Sequence, residues 1–272
     1  MPYMLQLVVQ NYLKPNNHRA ENMQNNTTQV EGQTPQREGH YELTNKTAIV
    51  TGGGKGLGKA ITKMLLTKGM NVAICGRSQD SITTAVQEFS GLYPQQIYGE
   101  SCDVSNSQQV QTFVANVLHR FSDIHVLINN SGFGKQSLVW QTTESDWDEV
   151  MNTNVKGAYL MCKSVVPQMI KNHEGYILNI ASQAALNGYA NAGVYCASKF
   201  AMVGLGKALQ EEVREFGIHV HSLNPALIQS QKTTNDAIDN GLVQNEDLAQ
   251  LAVYLLQQPR RLKIDNIGLW GF

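Results

Sequence analysis

A buried strand that runs into a cluster of glycines and then into a helix constrains the fold of this chain most. The strand covers residues 46–50, an apolar run rich in β-branched residues. The glycines lie in 51–58, Thr-Gly-Gly-Gly-Lys-Gly-Leu-Gly, and an amphipathic helical pattern follows over 59–68. Glycines let the backbone approach a pyrophosphate closely, and the unpaired N–H groups of the helix N-terminus stabilise its charge. The segment therefore predicts a nucleotide-binding loop, with Gly-x-x-x-Gly-x-Gly spacing instead of the common Gly-x-Gly-x-x-Gly.

Strands and helices alternate along the rest of the chain, which predicts the α/β class. At 272 residues the chain suits a single doubly wound Rossmann-type domain, a parallel seven-stranded sheet with helices on both faces. We expect strands to begin near residues 46, 71, 96, 124, 175, 218 and 264. We expect helices over 56–68, 78–90, 106–121, 144–172, 192–216 and 246–257.

The first forty residues differ in composition from the rest, since 12 of them are Asn or Gln. Such a segment buries little apolar surface, so we predict that 1–43 is a flexible extension. The apolar stretch 4–9 lacks the cationic start and the cleavage site of a signal peptide. Residues 44–272 are then expected to carry both the cofactor site and the substrate site.

The end of the second predicted strand bears on the choice of dinucleotide. In NAD-binding folds an acidic residue at this point binds the ribose hydroxyls. Here residues 71–75 are followed by Gly76 and Arg77, the nearest carboxylate is Asp80, and Lys55 lies inside the glycine loop. Two cations without an acid favour a 2′-phosphate, so we predict NADP(H) as the preferred cofactor and NAD(H) as the alternative.

Polar residues follow three other predicted strands, and ligands bind at the carboxyl ends of parallel strands. They are Asn129 to Gly132 after the fourth strand, Ser182 after the fifth, and Asp103, placed to hydrogen-bond an adenine amino group. Further along, Tyr195 and Lys199 are four residues apart, so they share one face of a helix. A nearby cation favours the phenolate, and we expect Lys199 to lower the pKa of Tyr195 so that it acts as a general acid or base.

In these motifs the chain resembles the short-chain dehydrogenases/reductases, in particular members similar to 3-oxoacyl-[acyl-carrier-protein] reductase. The resemblance covers residue 44 to the C-terminus and rests on the Thr-Gly-x-x-x-Gly-x-Gly loop, the Asn-Asn-x-Gly segment and Tyr-x-x-x-Lys. It implies that Tyr195 is the acid/base and that Lys199 lowers its pKa and holds the nicotinamide ribose. It also implies that Ser182 orients the substrate oxygen and that Asn154 holds a water of a proton relay.

The resemblance further implies a set of cofactor contacts along the chain. The implied contacts are Thr51, Gly52, Gly54, Lys55, Gly56, Leu57, Gly58, Arg77, Asp103, Val104, Asn130, Ser131, Gly132, Tyr195, Lys199, Pro225, Ala226, Ile228 and Ser230. Two of these positions depart from the family pattern, since Ala226 stands where the family has Gly and Ser230 where it has Thr. The resemblance also implies a homo-tetramer or homo-dimer built on the helices that hold Asn154 and Tyr195.

Charge and cysteine usage exclude several other classes of protein. The chain has 21 Lys and Arg against 22 Asp and Glu, so its overall charge does not favour binding to nucleic acid or to an anionic membrane. The four cysteines, Cys75, Cys102, Cys162 and Cys196, lack metal-ligand spacing, so we expect reduced thiols in a cytoplasmic protein and no metal. No apolar run reaches the length of a membrane span.

Three functions remain open at this point. The first is an NADPH-dependent carbonyl reductase with the tetrad Asn154, Ser182, Tyr195 and Lys199, acting on a 3-oxoacyl thioester that is free or bound to an acyl carrier. The second is an NAD(P)-dependent dehydrogenase of a sugar, a polyol or another secondary alcohol. The third is a non-enzymatic NADPH sensor or scaffold. The Lys55 and Arg77 pair favours the first.

Overall fold

A computed structural model describes residues 41–229, 239 and 241–271. It contains a parallel sheet whose seven strands are β1 Thr47–Thr51, β2 Asn71–Gly76, β3 Ile97–Ser101, β4 Val126–Asn129, β5 Gly175–Ile180, β6 Ile218–Pro225 and β7 Asn266–Leu269. Their spatial order is β3-β2-β1-β4-β5-β6-β7. The predicted doubly wound α/β fold with a parallel seven-stranded sheet is therefore confirmed. The flexible extension predicted for 1–43 lies outside the described residues as far as residue 40.

Helices pack on the sheet in the order that the periodicity predicts. They are α1 Gly56–Thr67, α2 Gln79–Ser90, α3 Ser107–Phe121, α4 Glu144–Met151, α5 Gly157–Asn172, α6 Gly193–Val213 and α7 Asn245–Leu256. The single helix predicted over 144–172 is not uniform, because a π-helical turn, Asn152–Lys156, joins α4 to α5. Periodicity does not detect such a turn, since one extra residue barely changes the apolar pattern.

The core lies on both faces of the sheet because neighbouring strand residues point to opposite sides. Ala48 and Val50 of β1 join the apolar cluster under α1, α2 and α7, whereas Ile49 between them joins the cluster under α3 and α5. Helix α1 presents Ile61 and Leu65, both fully buried, at the i, i+4 spacing of one helix face. Both faces are thus covered, which is why β1, β2, β4 and β5 consist mainly of apolar residues.

A row of polar residues crosses four neighbouring strands, β4 to β7, at one level of the sheet. Asn129 pairs with Asn179, Asn179 with Ser222, and Ser222 with Asn266 in the register of β4 to β7. The Asn129 amide Nδ2 donates to Asn179 Oδ1 at 2.9 Å, and Asn129, Asn179 and Ser222 are buried. Helix α6 approaches the row through Gly206, where a Cβ would come within 2.8 Å of Asn179 Nδ2. The row therefore satisfies part of its own hydrogen-bonding capacity inside the core.

The start of the folded domain differs from the boundary predicted at residue 44. Tyr41 and Leu43 belong to the core, and the Tyr41 N–H donates to the Gln257 carbonyl at 3.1 Å. The ring of Tyr41 also packs on Tyr176, with centroids 4.6 Å apart. Residues 41–43 are hence not part of an extension, because Tyr41 and Leu43 bury their side chains on the domain. Within the described part of the chain, no helix has the length and apolar character needed to cross a bilayer.

Candidate active site

A cavity of about 760 Å³ opens at the carboxyl ends of the strands, beside the adjacent strands β1 and β4. These two strands are neighbours at the point where the strand order reverses, which is where doubly wound sheets bind ligands. Many of the predicted cofactor residues line it, namely Gly52, Gly54, Lys55, Gly56, Leu57, Gly58, Arg77, Asp103, Val104, Asn130, Ser131 and Gly132. The topology therefore brings most of the predicted cofactor contacts into one cavity.

The backbone of the glycine loop packs closely on itself at positions where no side chain would fit. The absence of side chains there lets a phosphate approach the backbone. Gly52 has a φ of +66°, and a Cβ on Gly58 would lie 2.2 Å from the Gly52 carbonyl oxygen. Helix α1 follows, and its N-cap Lys55 is extended and makes no side-chain hydrogen bond to the first turn. The N–H groups at the start of α1 are thus free of a side-chain cap and suit an anionic ligand. These features fit the pyrophosphate of a dinucleotide.

Hydrogen bonds between Thr51 and the segment Asn130–Ser131 join the end of β1 to the end of β4. Thr51 Oγ1 accepts the N–H groups of Asn130 and Ser131 at 3.0 and 2.9 Å, and Asn130 Nδ2 donates to the Thr51 carbonyl at 2.9 Å. Thr51 is buried and does not line the cavity. Its hydroxyl therefore fixes the loop after β4, and Asn130 and Ser131 line the cavity from that loop.

Asp103 and Val104 form the wall of the cavity beyond β3. Asp103 Oδ1 accepts from the backbone N–H and the hydroxyl of Ser105, at 2.9 and 2.8 Å. The Asp103 N–H donates to Gln109 Oε1 at 2.8 Å. The carboxylate is thereby held in one orientation, with its Oδ2 atom in none of these bonds.

The two cations predicted for a 2′-phosphate occupy different environments. Among the described residues Lys55 has no ion-pair partner, and it is exposed at the start of α1. The Arg77 guanidinium lies 5.6 Å from the ring centroid of Phe133, and its Nη1 lies 3.6 Å from Glu149 Oε1. The Arg77 guanidinium therefore already interacts with two side chains of the protein, Phe133 and Glu149.

Lys199 is buried beside the cavity. Only 3% of its surface is exposed, its Nζ donates to the Ile180 carbonyl at 2.8 Å, and burial lowers the pKa of Lys199 to about 8. The same Nζ lies 5.7 Å from the ring centroid of Tyr195, one turn earlier on α6. A Cβ on Gly132, which lines the cavity, would lie 3.3 Å from this Nζ. Lys199 thus lies between the tyrosine and the cavity wall.

The pKa of Tyr195 does not follow the sequence-based expectation. Burial raises the pKa of Tyr195, and a hydrogen bond with Ser182 opposes that rise. The expected lowering by Lys199 is wrong for this structure, because desolvation of the phenolate outweighs the other influences. Ser182 Oγ also accepts the Ala184 N–H at 3.1 Å as the N-cap of a short 3₁₀ turn, Gln183–Ala185. Tyr195 is therefore a neutral phenol at neutral pH.

Asn154 lies in the π-helical turn and is completely buried. Its Oδ1 accepts the Phe133 N–H at 3.0 Å, and its Nδ2 donates to the Phe133 carbonyl at 2.8 Å. The same Nδ2 donates to Ser198 Oγ at 2.9 Å, and Ser198 lies next to Lys199. The Asn154 side chain therefore clamps the loop after β4 to the helix that carries Tyr195 and Lys199.

The remaining predicted contacts lie beyond the end of β6. Pro225 is buried and pairs with Leu269 of β7, the Ala226 N–H donates to the Leu269 carbonyl at 2.8 Å, and Ile228 forms a parallel bridge with Val243. None of these three residues lines the cavity of about 760 Å³. Ser230 lies outside the described residues.

Sequence reasoning missed several residues that line the same cavity. They are Gly76, Ser78, Ser81, Ile82, Cys102, Phe133 and Thr153. Ser78 follows Arg77 and caps α2, so the serine before a helical pattern was an available signal. Phe133 follows the Asn-Asn-Ser-Gly segment directly, but nothing in its type predicts that it faces a guanidinium. In the described ranges, no group of three or more His, Cys, Asp or Glu side chains could hold a metal ion.

Comparison with known proteins agrees with this fold. A family model described as short chain dehydrogenase matches residues 46–240. The 3-oxoacyl-[acyl-carrier-protein] reductase of Chlamydia trachomatis is 34% identical over 224 residues, which are 78% of this chain and 90% of that protein. An alcohol dehydrogenase from the archaeon Thermococcus sibiricus, solved with 5-hydroxy-NADP, superposes with a TM-score of 0.76 at 23% identity, over 83% of this chain and 96% of that one.

A metagenomic short-chain oxidoreductase solved with NADP has a TM-score of 0.75 and 27% identity, over 85% of this chain and 99% of that one. The Rossmann-type fold and the family matches together define an oxidoreductase of the kind that uses a nicotinamide cofactor on CH–OH and C=O groups. The chain belongs to the short-chain dehydrogenase/reductase family.

Proposed function

We propose that this protein is an NADP(H)-dependent reductase that converts a carbonyl into a secondary alcohol, with 3-oxoacyl thioesters, free or carrier-bound, as its substrate class. The observation that carries the proposal is the buried Lys199, whose Nζ lies 5.7 Å from the Tyr195 ring beside the cavity. The named Chlamydia trachomatis relative supports the choice of substrate class. Residues 41–272 form the proposed catalytic domain, which carries both the cofactor and the substrate site.

The cofactor is proposed to bind in the cavity of about 760 Å³. The glycine loop and the N-terminus of α1 hold the pyrophosphate, and Asp103 accepts from the adenine amino group. Lys55 and Arg77 bind the 2′-phosphate, since no carboxylate follows β2 directly. The two similar structures described above were solved with 5-hydroxy-NADP and with NADP, which supports a preference for NADP(H) over NAD(H) in this protein. When bound, the nicotinamide supplies or accepts the hydride.

In the proposed reaction Tyr195 donates its phenolic proton to the carbonyl oxygen as negative charge develops there. Burial raises the pKa of Tyr195, so the proton donor stays protonated at neutral pH, which suits reduction. Ser182 donates a second hydrogen bond to the same oxygen, using its one hydroxyl hydrogen. Such general acid catalysis contributes about 10²–10⁴-fold.

Lys199 and Asn154 support the proton donor in this proposal. Lys199 places a positive charge near the tyrosinate that forms when Tyr195 gives up its proton, and it binds the nicotinamide ribose. Asn154 holds the loop after β4 through both hydrogen bonds to Phe133. A water held near Asn154 returns a proton to Tyr195 by way of Lys199. A homo-dimer or homo-tetramer and a cytoplasmic location stay predictions.

Oxidation of NADPH and of NADH at matched concentrations tests the proposal. The substrates are an acetoacetyl thioester, simple diketones, aldehydes and keto sugars, and polyols are tested with NADP⁺ and NAD⁺. We expect fast oxidation of NADPH by the thioester and slow oxidation of NADH. Reduction of NAD⁺ or NADP⁺ by polyols, with no activity on any ketone, would replace the proposal with a polyol dehydrogenase. Tight NADPH binding without turnover would support a sensor.

A further inference from the structure

Arg77 extends across the cavity instead of standing free at the end of β2. Its guanidinium stacks 5.6 Å from the ring of Phe133, which lies in the loop after β4, and both residues line the cavity. Its Nη1 lies 3.6 Å from Glu149 Oε1 on α4. One side chain thus connects the end of β2 to the loop after β4, both of which line the cavity, and to the neighbouring helix α4.

Glu149 is itself fixed in place by a second cation. Its Oε2 lies 2.5 Å from Lys135 Nζ, and the same Nζ lies 2.5 Å from Asp146 Oδ1. The hydrogen bond from Lys135 lowers the pKa of Glu149, so the side chain is a carboxylate at neutral pH. Arg77 therefore faces an anion that is already oriented toward it.

We propose that Glu149 weakens dinucleotide binding by holding Arg77 across the cavity, and that a 2′-phosphate releases Arg77 by offering it another anion. The inference rests on the proposed function, because it concerns the same cofactor cavity. A dinucleotide that enters the cavity displaces the guanidinium from Phe133 and Glu149. NADPH then gives Arg77 a phosphate, whereas NADH breaks the same contacts and replaces none of them. Glu149 is a positioning residue that acts through Arg77, and Arg77 selects between the two cofactors.

The size of the effect follows from the exposure of the pair. The Arg77 and Glu149 side chains are 56% and 43% exposed, so solvent screens their attraction. Exposed ion pairs of this kind change an equilibrium by about two- to fivefold. Glu149→Gln keeps the length of the side chain and removes its charge, so it should tighten NADPH and NADH binding by similar factors in this range.

Dissociation constants from fluorescence titration test the inference on the full chain. The set contains wild type, Glu149→Gln, Arg77→Met and the double variant, each with NADPH and NADH. If Glu149 acts through Arg77, its substitution tightens binding in wild type and has no effect in the Arg77→Met background. If Glu149 merely repels the anionic cofactor, the substitution tightens binding equally in both backgrounds, and the inference is overturned.

Asp148→Asn is the matched control, since it removes one negative charge from the neighbouring position of α4. Asp148 is exposed and forms no ion pair within the described residues, so NADPH binding should stay within experimental error of wild type. Equal effects of Asp148→Asn and Glu149→Gln would overturn the inference by showing a general charge effect. If wild type binds NADPH and Glu149→Gln has the same dissociation constant, the inference is refuted but the proposed function is not. Wild type that binds neither dinucleotide refutes the proposed function as well.

Discussion

Gly134 lies directly against the ring of Tyr195, and a Cβ on Gly134 would come within 3.0 Å of the ring's Cδ2. Two residues earlier, a Cβ on Gly132 would lie 3.1 Å from Asn154 Oδ1 and 3.3 Å from Lys199 Nζ. The loop after β4 therefore packs against the tyrosine and the lysine through two residues that lack side chains. Any side chain at either position meets a member of the proposed tetrad.

Gly134→Ala should lower turnover much more than cofactor binding. The added methyl group displaces the Tyr195 ring by a few tenths of an ångström. Because a displacement of 1 Å lowers the rate of a positioned reaction by about 10²-fold, the loss of turnover should be smaller than that. Gly134 does not line the cofactor cavity, so the dissociation constant of NADPH should change little. Steady-state kinetics and fluorescence titration measure the two effects. Gly204→Ala on α6 is the control, because a Cβ there has no neighbour within 4 Å. Equal turnover in the two variants would contradict the packing argument.

Tyr195→Phe should slow carbonyl reduction strongly while the protein stays folded and binds NADPH. The substitution removes only the phenolic oxygen, which is the proposed proton donor, and general acids contribute about 10²–10⁴-fold. The loss of turnover should fall in that range. The control is Tyr254→Phe, since Tyr254 lies exposed on α7. Turnover of Tyr195→Phe within a few-fold of wild type would refute its catalytic assignment.

The activity should decline as the pH rises through about 8. Burial lowers the pKa of Lys199 to about 8, so Lys199 is mainly a cation below that pH and mainly neutral above it. Tyr195 stays protonated over the same range, because burial raises the pKa of Tyr195. The profile of kcat/KM for reduction reports the free enzyme and should show a descending limb that begins near pH 8.

Lys199→Arg provides the comparison for this profile, because a guanidinium keeps its charge throughout the accessible range. In the variant, whatever activity remains should show no descending limb near pH 8. A wild-type profile that stays flat to about pH 9.5, well past the ionisation of such a lysine, would contradict the role of its charge.

Acid should destabilise the protein through His219 on β6. Burial, His221 and Arg260 together lower the pKa of His219 to about 4, while an unfolded histidine titrates near ~6.5. Between these values the unfolded chain binds the extra proton, so the free energy of unfolding falls as the pH decreases. One such proton contributes at most ~1.4 kcal/mol per pH unit, and partial exposure of His219 reduces this. Urea unfolding from pH 7 to 4.5 measures the slope.

His219→Phe should reduce that slope because it removes the titrating group. The variant keeps an aromatic ring at the position where the His219 ring stacks on Tyr176, with centroids 5.0 Å apart. The exposed His119 at the end of α3 supplies the control His119→Phe, which should leave the slope unchanged. An identical pH dependence in wild type and His219→Phe would show that other groups control acid stability.

The order and type of the elements could be predicted because most strands contain a short apolar run and most helices have an apolar face. The prediction of α1 over 56–68 and of α3 over 106–121 lies within one residue of the observed bounds at each end. The cavity could be predicted as well, since a parallel sheet brings the ends of β1 and β4 together. These features depend on local patterns and on general topology.

Features that depend on packing between distant segments could not be predicted. The π-helical turn at Asn154 leaves no mark on periodicity, and the pairing of Arg77 with Glu149 joins positions with no motif in common. The pKa of Tyr195 is a further case, because the sequence shows the nearby lysine but not the extent of burial. In each case the deciding quantity is a distance or a buried surface that the sequence alone does not give.

The polar row of Asn129, Asn179, Ser222 and Asn266 has a consequence for how the chain assembles. If β5 moved by one residue relative to β4, Asn179 would turn to the opposite face of the sheet and Asn129 would meet an apolar side chain. A continuous apolar strand tolerates such a shift, whereas a buried amide left without its partner loses about 1–3 kcal/mol. The row therefore specifies a single register for β4 against β5, because only that pairing brings the two buried amides together.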